Sequence, residues 1–230
     1  MSKSRQEISG FYDTYANQQS ETGVNIRHRT IMKRLKGLGL SSHSNVLEIG
    51  CGIGTLTGLL AAKAGKVLAV DISPESISRA KQRLGKYSNL SLLVSDMSDF
   101  STTEKFDFVV LPDVLEHIPV EQHASLFKTI ATVLKDDGKV CIHIPDPYYL
   151  EWVRAHRPEL LQIIDQSLYA DLLIPAFYSA GLVLQKLERY ALSMDSEDYE
   201  WIELIKRPEK KTYKKKEYLQ AALDEAKARL

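Results

Sequence analysis

Short apolar runs alternate with amphipathic stretches along the first two thirds of this chain. Five runs are short, rich in Val, Ile and Leu, and followed by a polar or turn residue: 46–49, 66–71, 90–94, 106–111 and 139–144. Such runs are typical of parallel strands buried on both faces. The stretches between them place apolar residues at helical spacing, as in 121–135, which we predict to end at Asp136-Asp-Gly138. The pattern predicts an α/β fold with a mainly parallel sheet.

The remaining segments predict covering helices and a closing strand pair. Residues 8–38 read as one or two helices, and residues 150–180 read as helical. Residues 181–190 and 200–206 alternate apolar and polar side chains, as half-exposed edge strands do. Residues 207–230 are basic and then helical in spacing, which fits either a solvated helix packed on the domain or a membrane-surface or partner contact.

Composition excludes several classes of protein. The 230 residues are 44% hydrophobic and 26% charged, as in a soluble protein with a full core, so we predict one domain over 1–230. The net charge is zero, which argues against a nucleic-acid partner. The N-terminus lacks the apolar core of a signal peptide, and no apolar run is long enough to span a bilayer. The two cysteines are expected to be buried thiols, which suits a cytoplasmic location.

A glycine turn follows the first strand, and its chemistry differs from that of dinucleotide sites. Gly50, Gly52 and Gly54 have the spacing G-x-G-x-G, and Glu48 stands two residues before the first glycine. A pyrophosphate at the following helix would be repelled by this acid, whereas a cationic ligand would be attracted. The pattern therefore argues against an NAD-linked oxidoreductase and favours a ligand with a positive end.

The segment Glu48-Ile-Gly-Cys-Gly-Ile-Gly54 resembles the first motif of the class I S-adenosylmethionine (SAM)-dependent methyltransferases. The segment Asp113-Val-Leu-Glu-His117 resembles the post-strand segment of their ubiquinone-biosynthesis-type branch. The resemblance implies a Rossmann-like doubly wound sheet of seven strands, mostly parallel with an antiparallel last strand. It also implies a SAM cofactor, which carries a sulfonium and an ammonium. It divides the chain into a helical cover (8–38), a SAM-binding core (45–145), an acceptor-side helical insert (147–180), a final strand pair (181–206) and the basic C-terminal helix (207–230).

Two acids that follow strands match positions where this family holds the nucleoside. Asp71 matches the acid that binds the ribose, although it could instead cap the next helix. Asp96 matches the acid that binds the adenine amino group, and Met97 matches the side chain beside the ring; a turn residue and a core side chain are the alternatives. The predicted cofactor-binding residues are Tyr15, Glu48, Gly50, Cys51, Gly52, Gly54, Asp71, Ile72, Asp96, Met97 and Pro112.

Candidate catalytic groups follow the fourth and fifth strands. Histidine side chains ordinarily titrate near neutrality, so His143 or His117 could act as a general base, with Asp146 as an orienting acid. Asp113, Glu116 and His117 also have a spacing that can bind a metal, but no further ligand cluster supports one, so no metal is predicted. Tyr148, Tyr149, Trp152 and Arg157 are the predicted substrate residues, since they follow the fifth strand.

The sequence therefore predicts a SAM-dependent methyltransferase. Its acceptor is expected to be a small metabolite or a sugar-like molecule, methylated at oxygen. Two alternatives remain open: N-methylation of a small amine, and a non-catalytic SAM-binding protein that regulates a partner. We expect no nucleic-acid partner and no stable membrane insertion, and a homodimer is compatible with the sequence.

Overall fold

Seven strands form one sheet in the computed structural model, which describes residues 4–208 and 224–227. The strands are β1 (Asn45–Ile49), β2 (Lys66–Asp71), β3 (Leu90–Val94), β4 (Phe106–Pro112), β5 (Leu134–Pro145), β6 (Leu182–Tyr190) and β7 (Tyr199–Lys206). Their order is β3-β2-β1-β4-β5-β7-β6. The first five pair in parallel, and β7 is antiparallel to both of its neighbours. The predicted Rossmann-like sheet is confirmed.

Helices cover both faces of the sheet. They are α1 (Arg5–Thr22), α2 (Ile26–Gly37), α3 (Thr55–Ala61), α4 (Pro74–Leu84), α5 (Val120–Val133), α6 (Pro147–His156) and α7 (Ala170–Ser179). Short 3-10 turns span Leu115–His117 and Pro158–Leu160. None of the helices in these described ranges is both long and apolar enough to cross a membrane. Most of the predicted basic C-terminal helix, 207–230, lies outside the described residues.

Two apolar clusters, one on each side of the sheet, fix the strands. One joins β4 and β5 to α5 and α7, where the rings of Phe127 and Phe177 meet edge to face at 4.7 Å. The other joins β1 and β2 to α2 and α3 and includes the fully buried Trp201 of β7. Aromatic edge contacts stabilise a core beyond the area that they bury. The carboxyl ends of β1 to β4 are thereby held at one edge of the sheet.

α1 and α2 are separate helices because Asn25 acts as an N-cap between them. Asn25 Oδ1 accepts from the backbone N–H groups of Arg27 and His28, and this cap begins α2. α1 lies across the loop between β2 and α4, where the Ser73 hydroxyl donates to Asp13 at 2.5 Å. The Ser9 hydroxyl donates to the carbonyl of Ile72 in the same loop at 3.2 Å. These contacts fix α1 over the ends of the strands.

The predicted helix over 150–180 is wrong in its middle. α6 ends at His156, Pro158 begins a single 3-10 turn, and 161–169 has no regular structure before α7. Gln166 explains why the segment can remain irregular: its side chain donates to the carbonyls of Glu116 and Ile118 and accepts from the N–H of Val120. The backbone N–H of Gln166, which a helix would have paired internally, also donates to the carbonyl of Glu116 at 3.0 Å.

The boundary between α5 and β5 also differs from the prediction. The helix ends at Val133, and Gly138, predicted to end it, lies inside β5. The partners of β4 shift here, since Phe106 pairs with Leu134 and Phe108 with Lys139. A Cβ at Gly138 would lie 2.9 Å from the carbonyl oxygen of Phe106. Glycine therefore permits a close backbone approach at this irregularity of the ladder.

Candidate functional site

A cleft opens at the carboxyl ends of β1 to β4, beneath α1 and α2. It encloses about 1370 Å³, part of which is open to solvent. Open α/β sheets bind ligands at this edge. The predicted residues on its wall are Tyr15, Glu48, Gly50, Cys51, Gly52, Asp71, Ile72, Asp96, Met97, Pro112 and His117. The cleft therefore brings together ten of the eleven predicted cofactor residues and one of the three predicted catalytic residues.

The glycine turn is shaped by packing as well as by access for a ligand. Gly50 and Gly54 have φ angles of 76° and 83°, which favour glycine. A Cβ at Gly50 would lie 2.5 Å from the Val114 side chain, and one at Gly54 would lie 2.6 Å from Leu84. Gly50 lines the cleft, whereas Gly54 does not and begins α3. The structure therefore gives Gly54 a packing role in place of the predicted contact with the cofactor.

Asp71 connects the end of β2 to the glycine turn. Its Oδ2 accepts from the N–H of Gly52 at 2.7 Å, and its Oδ1 accepts from the N–H of Ser73 at 2.9 Å. Burial raises the pKa of Asp71, and the two backbone donors oppose this shift. Since each carboxylate oxygen can accept more than one bond, Asp71 can fix both loops and still accept from a ligand in the cleft.

Asp96 and Met97 line the cleft at the end of β3. Oδ1 of Asp96 accepts from the N–H and the hydroxyl of Ser98, at 3.0 and 2.6 Å. Met97 is buried, belongs to the core around β1 and β4, and has a φ of 68°. Met97 thus packs in the core and also borders the cleft, so the two roles considered for it are compatible.

Glu48 is fully buried on the cleft wall and lacks a hydrogen-bond partner. Neither carboxylate oxygen, nor the buried hydroxyl of Thr57, meets hydrogen-bond geometry with any described group. Burial raises the pKa of Glu48 to about 8, although Thr57 opposes the shift and Asp71 adds to it. A buried carboxyl group without a partner is costly, and a cation in the cleft would supply one. This orphaned acid therefore fits the cationic ligand that the glycine motif predicts.

His143 lies behind the cleft and does not reach it. The ring is fully buried, with Nδ1 2.6 Å from Oδ1 of Asp113 and Nε2 2.6 Å from the hydroxyl of Tyr190. Asp113, which does line the cleft, also pairs with Arg27 at 3.0 Å. Burial works against ionisation, but His143 and Arg27 lower the pKa of Asp113 to about 2. Both His143 nitrogens are occupied, which disagrees with the prediction that His143 contacts the acceptor as a base.

His117 lines the cleft but holds its proton tightly. Its Nδ1 lies 2.6 Å from the carbonyl of Ile164 and 3.1 Å from Oδ1 of Asp165. Burial alone would lower the pKa of His117, but Glu116, Asp165 and this carbonyl raise it to about 9. Burial itself keeps the pKa of Glu116 high. An imidazolium at neutral pH cannot accept a proton, so the predicted base role of His117 disagrees with its surroundings.

The other predicted residues lie outside the cleft wall. Asp146 accepts from the N–H groups of Tyr148 and Tyr149 as the N-cap of α6, and it pairs with Arg189. Tyr148 and Trp152 are 61% and 46% exposed on α6. Arg157 pairs with Glu159 at the surface. Asp146 caps a helix, and Tyr148, Trp152 and Arg157 face solvent, so none of these side chains lies on the cleft wall. The structure does not support the predicted roles of Asp146 in catalysis and of Tyr148, Tyr149, Trp152 and Arg157 in substrate binding, which stay predictions.

The cleft residues that were not predicted from the sequence include Tyr12, Arg27, His28 and Gln162. Nδ1 of His28 accepts from the backbone N–H of Asn25, and burial lowers the pKa of His28 to about 4. The hydroxyl of Tyr12 and Oε1 of Gln162 are buried without a described partner. The N-cap pattern at Asn25 was the one signal that could have placed His28 at the start of a covering helix; nothing in the sequence indicated the other three.

Comparisons with known proteins agree with this geometry. Residues 46–138 match the methyltransferase domain family. Nodulation protein S of Bradyrhizobium diazoefficiens is 31% identical over 128 residues, which are 54% of this chain and 61% of that protein. Ubiquinone biosynthesis O-methyltransferase of Idiomarina loihiensis is 25% identical over 71% of this chain and 75% of that protein. The chain spans 35–61% of the length of the three nodulation proteins that it matches.

Solved structures share the fold. N-methyltransferase NodS from Bradyrhizobium japonicum WM9, in complex with S-adenosylhomocysteine (SAH), superposes with a TM-score of 0.67 and 21% identity over 89% of this chain and 98% of that chain. Magnesium protoporphyrin IX methyltransferase from Synechocystis with bound SAH gives a TM-score of 0.68 and 18% identity over 88% and 99%. At such identities the likeness establishes the fold.

Proposed function

We propose that the chain is a class I SAM-dependent methyltransferase and that it transfers the methyl group of SAM to the nitrogen of a small amine. One observation carries the choice of nitrogen over the oxygen favoured by the sequence. Apart from Glu48, which would face the cofactor, the cleft wall offers His28, Asp113 and His117, and none of these three combines an open lone pair with a pKa suited to deprotonating an alcohol.

The residues of the cleft fit SAM. Asp71 would accept hydrogen bonds from the ribose, and Asp96 with Met97 would border the adenine. Glu48, buried and without a partner, would receive the positive charge of the ligand. Bound SAM supplies an electrophilic methyl group that needs no further activation. The protein then has to align the acceptor and exclude water, and α1 and α2 lie over the cleft where this would be needed.

Each titratable group near the acceptor end lacks what a base for an alcohol needs. His117 is protonated at neutral pH, because its pKa is raised to about 9. His28 uses the lone pair of Nδ1 to cap α2, and its pKa is lowered to about 4. Asp113 is paired with Arg27 and has a pKa of about 2. An amine avoids this requirement, because it can lose its proton to water before it binds.

The charge of the cleft also favours an amine. Glu48, Asp71, Asp96 and Asp113 line it, whereas Arg27 is the one Arg or Lys on its described wall. An acidic cleft attracts cations and repels carboxylates. This argues against a carboxylate acceptor, which would also need no base. The NodS neighbour is an N-methyltransferase, which is in line with the proposal.

The proposal is tested by methyl transfer from labelled SAM to pairs of small amines and alcohols with the same carbon skeleton. We expect label in amines alone. Below the pKa of each amine the rate should rise about tenfold per pH unit, and the profile should move with the pKa of the amine used. Trp152→Ala, on the exposed face of α6, serves as the control and should leave the rate unchanged.

Two results would contradict the proposal. One is transfer to alcohols in preference to the matched amines. The other is an acidic limb near pH 6–7 that is independent of the acceptor and disappears in His117→Gln. Either result would restore a histidine base and an oxygen acceptor.

A further inference from the structure

A closed circuit of polar contacts begins and ends on α2. Arg27 pairs with Asp113 at 3.0 Å, Asp113 bonds His143 at 2.6 Å, and His143 bonds the hydroxyl of Tyr190 at 2.6 Å. The guanidinium of Arg34 lies 4.3 Å above the Tyr190 ring and returns the circuit to α2. Arg27 and Arg34 are two helical turns apart and so share one face. The circuit joins the cleft to the far edge of the sheet, where β6 lies.

The direction of each hydrogen bond follows from the groups involved. The Asp113 carboxylate can only accept, so Nδ1 of His143 donates, and Nε2 accepts from the hydroxyl of Tyr190. The backbone N–H of Asp113 also donates to the carbonyl of His143 at 2.8 Å. These two bonds hold Asp113 at a φ of 54°, which residues other than glycine rarely adopt. The Tyr199 ring stacks on the imidazole of His143, with 4.5 Å between the ring centroids, and covers one face of that imidazole.

Arg27 is the part of the circuit that a ligand can reach. Its Nη1 pairs with Oδ2 of Asp113 and also donates to the hydroxyl of Tyr199 at 3.4 Å. Its Nε and Nη2 groups have no partner among the described residues, and they belong to the one Arg or Lys on the described cleft wall. A guanidinium fixed on one side offers its other donors in a planar arrangement that matches a carboxylate.

We propose that His143 and Tyr190 are positioning residues that, through Asp113, hold Arg27 for the carboxylate at the amino-acid end of SAM. The inference rests on the proposed function only in that SAM occupies the cleft. Tyr190 of β6, at the edge of the sheet, would then control the affinity of the cleft for SAM without touching it. It also gives His143 a role that differs from the base predicted from the sequence.

The test compares two ligands that share the adenosine and differ at the amino-acid end. SAH carries that end, whereas 5′-methylthioadenosine lacks it. Calorimetry with the full chain should show that His143→Leu weakens SAH roughly ten- to hundredfold, the loss expected for a charge-assisted hydrogen bond. Tyr190→Phe, which removes a neutral hydrogen bond, should weaken SAH roughly two- to tenfold, and both variants should leave 5′-methylthioadenosine unchanged. His143→Asn, whose amide can replace the Nδ1 donor, should recover most of the SAH affinity.

The outcomes separate a positioning role from a structural one. Equal weakening of both ligands, or no change in SAH affinity in Tyr190→Phe, overturns the inference. If His143→Leu does not fold, Tyr190→Phe and His143→Asn still decide, since neither leaves Asp113 without a donor. A selective loss of SAH affinity with no transfer to any amine would refute the proposed function alone. Amine transfer with equal effects on both ligands would refute this inference alone.

Discussion

Binding of SAH should release a proton from Glu48. The unliganded cleft buries this carboxyl group without a partner, and burial raises its pKa to about 8. At pH 7 about 0.9 of the Glu48 side chains would therefore be protonated. The ammonium of SAH would hold Glu48 ionised once it is bound, because a nearby opposite charge lowers the pKa of an acid. Binding then costs about 1.4 kcal/mol of ionisation at pH 7 and about 2.7 kcal/mol at pH 6.

The assay is titration calorimetry in buffers with different ionisation enthalpies. The slope of the observed enthalpy against the buffer enthalpy should give about 0.9 proton released at pH 7, and the SAH affinity should rise about tenfold from pH 6 to pH 7. In this range the amino group of the ligand stays largely protonated, since α-amino groups have pKa values of about 7.7–8.0. 5′-Methylthioadenosine, which has no ammonium, should release no proton.

Glu48→Gln provides the matched control and a second readout. It should bind SAH weakly, without proton release and without the pH dependence. A folded-state pKa of about 8 against an ordinary value of 4.5 means that Glu48 destabilises the unliganded fold increasingly from pH 4.5 to pH 8. The variant should therefore gain up to about 3 kcal/mol of unfolding free energy at pH 7. Unchanged SAH affinity in the variant, or zero proton release by the wild type, would refute the reasoning.

Two further predictions concern the loops around the cleft. Asp71→Ala should weaken SAH by about 1–3 kcal/mol in calorimetry, because it removes a charged acceptor and frees the N–H of Gly52; undiminished affinity would exclude Asp71 as the ribose ligand. His117 has a raised pKa of about 9, so its stabilising contribution is complete below pH 6.5 and is lost as the pH rises to 9. Unfolding free energy measured across this range should fall more steeply in the wild type than in His117→Gln, in which the titration of Glu48 still contributes a fall; parallel curves would contradict this.

The parts of the fold that could be predicted from sequence depend on local pattern. β1, the glycine turn and β2 follow one another within 30 residues, so periodicity and turn chemistry suffice to place them. Glu48 and Asp71 could be identified because their positions are fixed by the strand ends. The hydrogen-bond partners of these two acids could not be predicted, because they depend on groups from other parts of the chain.

The surroundings of the catalytic candidates could not be predicted, because their contacts come from residues that are distant along the chain. The two partners of His143 are Asp113 and Tyr190, which lie 30 and 47 positions away. Alternation along a strand indicates which face a histidine occupies, but it cannot identify the group that it meets there. The predicted helix over residues 161–169 was wrong for the same reason, since Gln166 is bound by carbonyls some fifty positions earlier.

The place of β7 in the sheet has a consequence for how the protein is made. β7 lies between β5 and β6, although both of those strands precede it in the chain. On the ribosome, β6 has no neighbour in the sheet until residues 199–206 have emerged, and one edge of β5 remains open until then. Open strand edges favour pairing with other chains. β7 also carries Tyr199, which contacts Arg27 and stacks on His143. Synthesis of this strand would therefore complete the sheet and the contacts of Arg27 and His143 in the same step.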